Sequence, residues 1–264
     1  MRRHLSTEIP ADEWSRPKIR GIVVAIPARN EAPSIARALS SIRCAVEDLP
    51  ASITTVTCVA CDSCVDGTAT AARLTQGGAT EVLIVEGAWR SVGGARRAAV
   101  QAGLDSLRAA GLDLEQIWIA TTDADTTVGP DWLSRQLRYA ETGLHAVAGV
   151  VDLRRDADLT IVTEEIFKDM YQVSKHGHSH VHGANLGVRA DAYVHAGGFP
   201  ILPASEDREL WNSLLASGYH CHASHRLRVS TSARLHGRVK EGFAFALRKR
   251  QGDVDNSTLE LGRT

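Results

Sequence analysis

Two aspartates two positions apart, in the stretch Thr121-Thr-Asp-Ala-Asp-Thr126, directly follow the apolar run Ile117-Trp-Ile-Ala120. Like charges this close repel each other and are costly to desolvate, so they imply a nearby cation or a polar ligand that hydrogen-bonds one of them. Carboxylate oxygens are hard donors, and Asp123 and Asp125 suit Mg2+ or Mn2+. Two other stretches carry complementary chemistry. Asp62, in Cys61-Asp-Ser-Cys-Val-Asp-Gly-Thr68, can accept from a planar N–H donor, and Gly93-Gly-Ala-Arg-Arg97 offers exposed backbone and guanidinium groups to phosphate. A nucleoside diphosphate would be satisfied by this set. Each piece alone has a plainer explanation: paired glycines can be a helix start, and Asp-x-Asp occurs by chance in loops. Their serial placement carries the argument.

That placement comes from the elements before them. Short β-rich runs at 21–26, 54–60, 81–86, 117–122 and 145–151 alternate with helical patterns at 34–45, 68–75, 94–110 and 130–139. Strands alternating with helices predict right-handed crossovers, an α/β fold and a mostly parallel central sheet flanked by helices. Ligands of such sheets gather at the carboxyl ends of the strands. The polar stretches at 27–31, 61–68, 87–97 and 123–127 are therefore expected along one edge.

The chain of 264 residues is 44% hydrophobic and 23% charged, with a formal net charge of -1 and a pI near 6.8. This is the composition of a soluble globular protein, with no basic excess to suggest nucleic acid. No apolar run approaches the roughly 20 residues of a membrane span, and residues 1–14 lack the apolar core of a signal peptide, so the expected location is cytoplasmic. Five cysteines do not make a disulfide framework. Cys58, Cys61 and Cys64 have the spacing of zinc or iron–sulfur ligands, but Cys58 and Cys61 fall in a β-branched run that reads as a buried strand with opposed side chains. Buried or loop thiols are the expectation.

The ordered series of motifs resembles the family 2 glycosyltransferases of GT-A fold, over about residues 20–240. Val23-Val-Ala-Ile-Pro-Ala-Arg-Asn-Glu31 is similar to the family's opening strand and turn, residues 59–72 to its second-strand aspartate with a Ser/Asp-Gly-Thr turn, and 121–133 to its Asp-x-Asp segment with the following helix. Residues 182–200 and 205–219 match its acceptor-side segment and the acidic pair before a helix. The resemblance implies a single GT-A domain over 19–250 with a Rossmann-like sheet, divided into a nucleotide-binding half (19–126) and an acceptor-binding half (127–250), with a loose arm at 1–18 and a tail at 251–264. It implies that Pro27, Ala28, Arg29 and Glu31 line the nucleotide, that Asp62 reads the base, and that Gly94, Arg96, Asp123 and Ala124 approach phosphates and ribose. Asp125 becomes the principal metal ligand, shared with Asp123, and a bound cation explains why the paired carboxylates tolerate one another.

Transfer to a hydroxyl also needs a base. Glu206-Asp207 opens an apparent helix and could aim one carboxylate into the site, with Asp207 as base and Glu206 beside it; the competing explanation is a pair of acidic residues favoured at a helix N-terminus. A single displacement of this kind inverts the anomeric centre. His176, His178, His180 and His182 alternate, so an extended chain turns all four one way. Such a row could hold a metal, but the four read as surface residues of an acceptor loop, with His182, Gly183, Ala184 and Asn185 as the acceptor-side candidates. His236 stands where members of this fold provide a third metal ligand, flanked by Arg234 and Arg238, which could clamp diphosphate; a solvent-exposed basic turn explains the same residues. Residues 239–250 have the pattern of an amphipathic helix with a basic end, suited to packing or to peripheral membrane contact. The expected partners are a UDP- or GDP-linked sugar and an acceptor that the residues do not specify.

Two rival readings differ in class. A sugar nucleotidyltransferase of cytidylyltransferase type shares the Ile26-Pro-Ala-Arg29 turn but follows it with a lysine-bearing triphosphate loop, where this chain has Asn30-Glu-Ala-Pro-Ser34. A catalytically silent nucleotide-binding protein of the same fold has less need of both acidic pairs. Cys64 within the second-strand turn and the histidine-rich loop depart from the family pattern and leave the acceptor most open.

Overall fold

The run Gly21–Ala28 folds as strand β1 and is buried along its whole length. Ile22, Val24 and Ile26 enter one apolar cluster while Val23 and Ala25 enter the other, so one strand feeds two cores, as a continuous apolar run requires. The computed structural model describes residues 18–75, 81–154 and 180–232. Arg234, His236, Arg238, His176, His178, the 239–250 segment, the tail at 251–264 and the N-terminal arm except Lys18 lie outside the described residues.

The described elements are β1, α1 (Ala32–Glu47), β2 (Thr54–Asp62), α2 (Thr68–Leu74), β3 (Glu81–Gly87), α3 (Val92–Ala109), β4 (Ile117–Thr121), β5 (Thr127–Val128), α4 (Trp132–Glu141), β6 (Ala146–Leu153), β7 (Leu186–Arg189), α5 (Ala190–His195), α6 (Glu206–Ala216) and β8 (Cys221–Thr231). Single 3-10 turns occupy Leu114–Gln116 and Gly183–Asn185. On one face of the sheet α1, α2 and α4 pack through Ile35, Leu39, Ala72, Trp132 and Leu133; on the other lie α3, α5 and α6, with Val100, Leu104, Tyr193, Leu210 and Leu214. Gly103 lets α3 settle directly on β1 and β2, because a Cβ there would lie 2.4 Å from Val23 Cγ1.

One eight-stranded sheet runs β3-β2-β1-β4-β7-β6-β8-β5. Its β3-β2-β1-β4 half is parallel, as the alternation of elements predicts. The other half is mixed: β7 is antiparallel to both β4 and β6, and β5 is antiparallel to β8. Strands β5 and β7, of two and four residues, are too short to leave a periodic signature and are absent from the sequence expectation. The reversal has a positional effect. Leu186 opens β7 opposite Thr121, the last residue of β4, so the Gly183–Asn185 turn must sit at the carboxyl edge beside Asp123.

The helices begin where their first amides find acceptors. α3 starts at Val92, two residues before the expected 94, because Ser91 Oγ accepts from Gly94 N at 3.1 Å. α1 starts at Ala32, whose amide donates to Asp66 Oδ2 at 3.0 Å, and Pro33 is tolerated in its first turn. No described helix is long and apolar enough to cross a membrane. Cys58 and Cys61 face opposite layers, and desolvation by burial pushes both thiols up to about 12. Among the described residues no group of three or more His, Cys, Asp or Glu is arranged to hold a metal.

Candidate active site

The loops after β1, β2, β3 and β4 meet along the carboxyl edge, and the first two are joined side by side. Glu31 N donates to Thr68 Oγ1 at 2.7 Å and Val65 N to Asn30 Oδ1 at 2.8 Å. The Cys64 thiol fills the gap between them, 3.3 Å from Asn30 N and 3.4 Å from Ala28 O. Asp66 holds the amides of both Ala32 and Thr68. Desolvation pushes its carboxyl up, but the Thr68 hydroxyl and these two amides outweigh it and hold the group below the usual aspartate value. Within this frame Pro27, Ala28 and Glu31 are buried and Arg29 is exposed. Asp62 is 4% exposed, and its Oδ1 accepts from Arg90 N at 2.9 Å and Ser63 Oγ at 3.2 Å, tying the third loop to the second.

Asp123 and Asp125 leave β4 in a tight turn, with Ala124 buried between them. Thr231, the last residue of β8, donates to Asp125 Oδ1 at 3.2 Å and meets Thr126 Oγ1 at 3.0 Å, while Arg154 Nη1 reaches the Asp125 carbonyl at 3.2 Å. Burial pushes the Asp123 carboxyl up. Arg96 pulls it down, the Asp125 and Asp207 carboxylates push it up again, and the net direction is upward. Asp123 and Asp125 offer hard oxygen donors of the kind Mg2+ or Mn2+ takes.

Arg96 is 1% exposed, just past the first turn of α3. Its Nη2 donates to Asp123 Oδ1 at 2.6 Å, its Nη1 donates to Glu206 Oε1, and its Cζ lies 5.5 Å from the centroid of the Phe199 ring. The structure therefore places this guanidinium beneath two carboxylates rather than open to phosphate, because both terminal nitrogens are already engaged. Gly94, the neighbouring candidate, is buried, its amide taken by Ser91. Gly93 permits the close approach of α6: a Cβ there would come within 2.1 Å of Pro200 O and 3.0 Å of Glu206 Cβ.

Glu206 is 3% exposed and faces Arg96, whereas Asp207 is half-buried at the start of α6. Asp207 Oδ1 accepts from Arg208 N at 2.8 Å, a local contact of the helix start, and Oδ2 accepts from Gly183 N at 2.7 Å across 24 residues. Thr121 Oγ1 holds the Gly183 carbonyl at 2.6 Å from beneath. Of the acceptor-side candidates, His182 is half-buried and its ring stacks on His180 at 6.0 Å between centroids, while Gly183 and Ala184 are buried. Asn185 is fully buried. It donates to Val150 O and Leu227 O and accepts from Trp132 Nε1 at 2.9 Å, so its amide holds the turn in place and does not face a ligand.

Among the described residues four non-glycines have positive φ: Asn30, Ser63, Arg90 and Ser205, at 53°, 53°, 54° and 64°. They fall in the loops after β1, β2 and β3 and immediately before α6. Among the described residues this backbone strain therefore falls at the rim of the cleft, the pattern of a site held by its surroundings. Sequence reasoning missed Asp66, Thr121 and Thr231. Asp66 belongs to a visible Asp-Gly-Thr turn, but its bracing of α1 needs a partner 34 residues away, and nothing in the chain marks Thr231 as a neighbour of Asp125.

Comparison with solved structures shows the same fold. A mannosyltransferase, PcManGT from Pyrobaculum calidifontis, determined with GDP-Man and Mn2+, superposes with a TM-score of 0.58 at 21% identity, over 88% of this chain and 62% of that one. TarS 1-349 from S. aureus, determined with UDP, gives 0.51 at 15% identity, over 80% of this chain and 58% of that one. The chain thus spans about three fifths of the length of each. A search of curated proteins finds no match. A family model, described as glycosyl transferase family 2, matches residues 23–195, which include the Asp-x-Asp turn and the Gly183–Asn185 turn and stop before α6. With two thirds of its residues in that match, this chain belongs to glycosyl transferase family 2.

Proposed function

We propose that the chain transfers a sugar from a UDP- or GDP-linked donor to an acceptor hydroxyl, with inversion at the anomeric carbon and with Mg2+ or Mn2+. The observation that carries this reading is the convergence of two acidic pairs from distant segments, Asp123/Asp125 and Glu206/Asp207, on one cleft at the carboxyl edge of the sheet. The mannosyltransferase's GDP-Man and Mn2+ and the UDP of TarS favour this class of donor.

In this reading Pro27, Ala28, Arg29 and Glu31 border the nucleotide, and Asp62 meets the base through Oδ2, since Oδ1 is taken by Arg90 and Ser63. Asp125, with Asp123, would hold the divalent ion, which offsets the charge collecting on the leaving diphosphate. Thr231 abuts Asp125, and the chain continues to Arg234, His236 and Arg238, proposed as diphosphate clamp and third ligand. Asp207 takes the proton from the acceptor hydroxyl as that oxygen bonds to the anomeric carbon and the bond to diphosphate breaks. The Gly183 amide fixes Asp207 Oδ2, so the carboxylate presents a set edge to the acceptor. His182, Gly183 and Ala184 shape the acceptor side, in the 127–250 half, opposite the nucleotide side in 19–126.

A panel of nucleotide sugars tested by thermal shift and calorimetry, with Mn2+ or with EDTA, examines the proposal. One UDP- or GDP-sugar should raise the melting temperature with Mn2+, and EDTA or Asp125→Asn should abolish the effect. Equal affinity in Mn2+ and EDTA would reject metal assistance, and no stabilisation by any nucleotide sugar would reject the donor class.

A further inference from the structure

The geometry points to Arg96 as a positioning residue that ties the donor carboxylate Asp123 to the setting of the acceptor base. The inference rests on the reading of Asp207 as that base. Three contacts converge on Arg96. One terminal nitrogen holds Asp123, and the other holds Glu206, the residue before Asp207 in the first turn of α6. The guanidinium also lies flat against Gly183, where a Cβ would come within 2.3 Å of Cζ, 2.4 Å of Nη1 and 2.5 Å of Nη2. Gly183 is the residue whose amide holds Asp207 Oδ2.

Asp207 is thus fixed from two sides, through its helix and through its amide donor, and Arg96 touches both supports. Among the described residues Nε of Arg96 is buried without a hydrogen-bond partner, so the pairing runs through the two terminal nitrogens. Only a planar fork can span two carboxylates in this way; a lysine supplies the charge at one point. Whatever draws Asp123 toward a bound ion changes Arg96's share in Glu206 and Gly183. By reciprocity, an ordered base favours donor binding.

The test begins without donor or metal. In Arg96→Lys, amide exchange at Gly183 and in the first turn of α6 should quicken by about tenfold or more, while exchange in β1 and β2 stays at the wild-type rate. With donor and acceptor, kcat should fall by roughly 10–100-fold, the usual loss when a residue orienting a reactive group is removed, with donor KM within about threefold of wild type. A residue that served stability alone would speed exchange in β1 and β2 together with Gly183, and that result would overturn the inference. So would wild-type Gly183 exchange in Arg96→Lys. If Arg96→Lys does not fold, Glu206→Gln, which keeps the shape but weakens the pairing, should quicken Gly183 exchange in the same direction, and unchanged exchange there overturns the inference. Exchange that depends on Arg96 in a protein inert toward every nucleotide sugar would reject the proposed function and uphold the positioning; normal transfer with unchanged exchange does the reverse.

Discussion

Replacing Asp207 with Asn separates a base from a helix-start residue. The carboxylate accepts two amides, Gly183 N at 2.7 Å through Oδ2 and Arg208 N at 2.8 Å through Oδ1. An asparagine keeps one acceptor oxygen, which stays on the buried Gly183 amide, and turns its NH2 toward the exposed end of the helix. The variant then loses one solvent-accessible hydrogen bond and the charge assistance in the other, together about 1 kcal/mol. In a chain of this size that lowers the melting temperature by about 2–4 °C. Loss of the proton acceptor is larger: roughly 10²–10⁴-fold in turnover, or about 3–5 kcal/mol in the barrier. Melting temperature, nucleotide affinity with Mn2+ and transfer rate, measured on the same preparation, resolve the two. The expected outcome is a small thermal loss, near-normal nucleotide affinity and a deep loss of turnover. An Asp207→Asn protein with wild-type turnover would remove this residue from the mechanism, and a thermal loss with turnover intact would assign it to the helix start.

Two further outcomes follow from groups away from that carboxylate. Cys44 is exposed, whereas burial holds the Cys58 and Cys61 thiols near 12, so a thiol reagent at pH 8 should label Cys44 quickly and spare Cys58 and Cys61 until the protein unfolds; elemental analysis should find no stoichiometric zinc or iron, and one tightly held zinc per chain would refute the reading of these cysteines as structural. Burial, with the nearby Arg189 and His220 charges, lowers His145 to about 4, below its ordinary 6.5. The unfolded chain therefore takes up this proton first, and stability falls as pH drops from about 6.5 toward 4. After discounting for its half-exposed position, urea unfolding should show about 1 kcal/mol less stability at pH 5 than at pH 7.5 from this group, absent in His145→Gln; an equal slope in both proteins would refute it.

The parallel half of the fold was legible because each of its strands is an apolar run bounded by polar residues, and the four strand-end loops then had to share an edge. The Asp-x-Asp pair was legible for the same reason, since it follows such a run directly. Where contacts join residues dozens of positions apart or more, the sequence carries no sign of them. Arg96 looked available for phosphate because its partner Glu206 lies 110 positions away, and Asn185 looked available for an acceptor because its bonds to Val150 and Leu227 are tertiary. Short strands failed differently: β7 has four residues, too few for a period, and its direction follows from pairing with β4.

The partners of β4 and of β5 also bear on the order in which the molecule matures. Strands β1 to β4 find one another within the first 121 residues, so that half can assemble while the rest of the chain is still being synthesised. The turn between β4 and β5 cannot take its final shape then. One flank is closed by β7 at Leu186–Arg189, the other by β8 at Val229 and Ser230, and Thr231 supplies the hydroxyl on Asp125. A growing chain therefore exposes an unpaired edge of β4, whose Ile117, Trp118 and Ile119 are wholly buried at the end, until residues beyond 186 arrive. The two aspartates gain their geometry last, and a nascent or truncated chain has the parallel framework without a finished Asp-x-Asp turn.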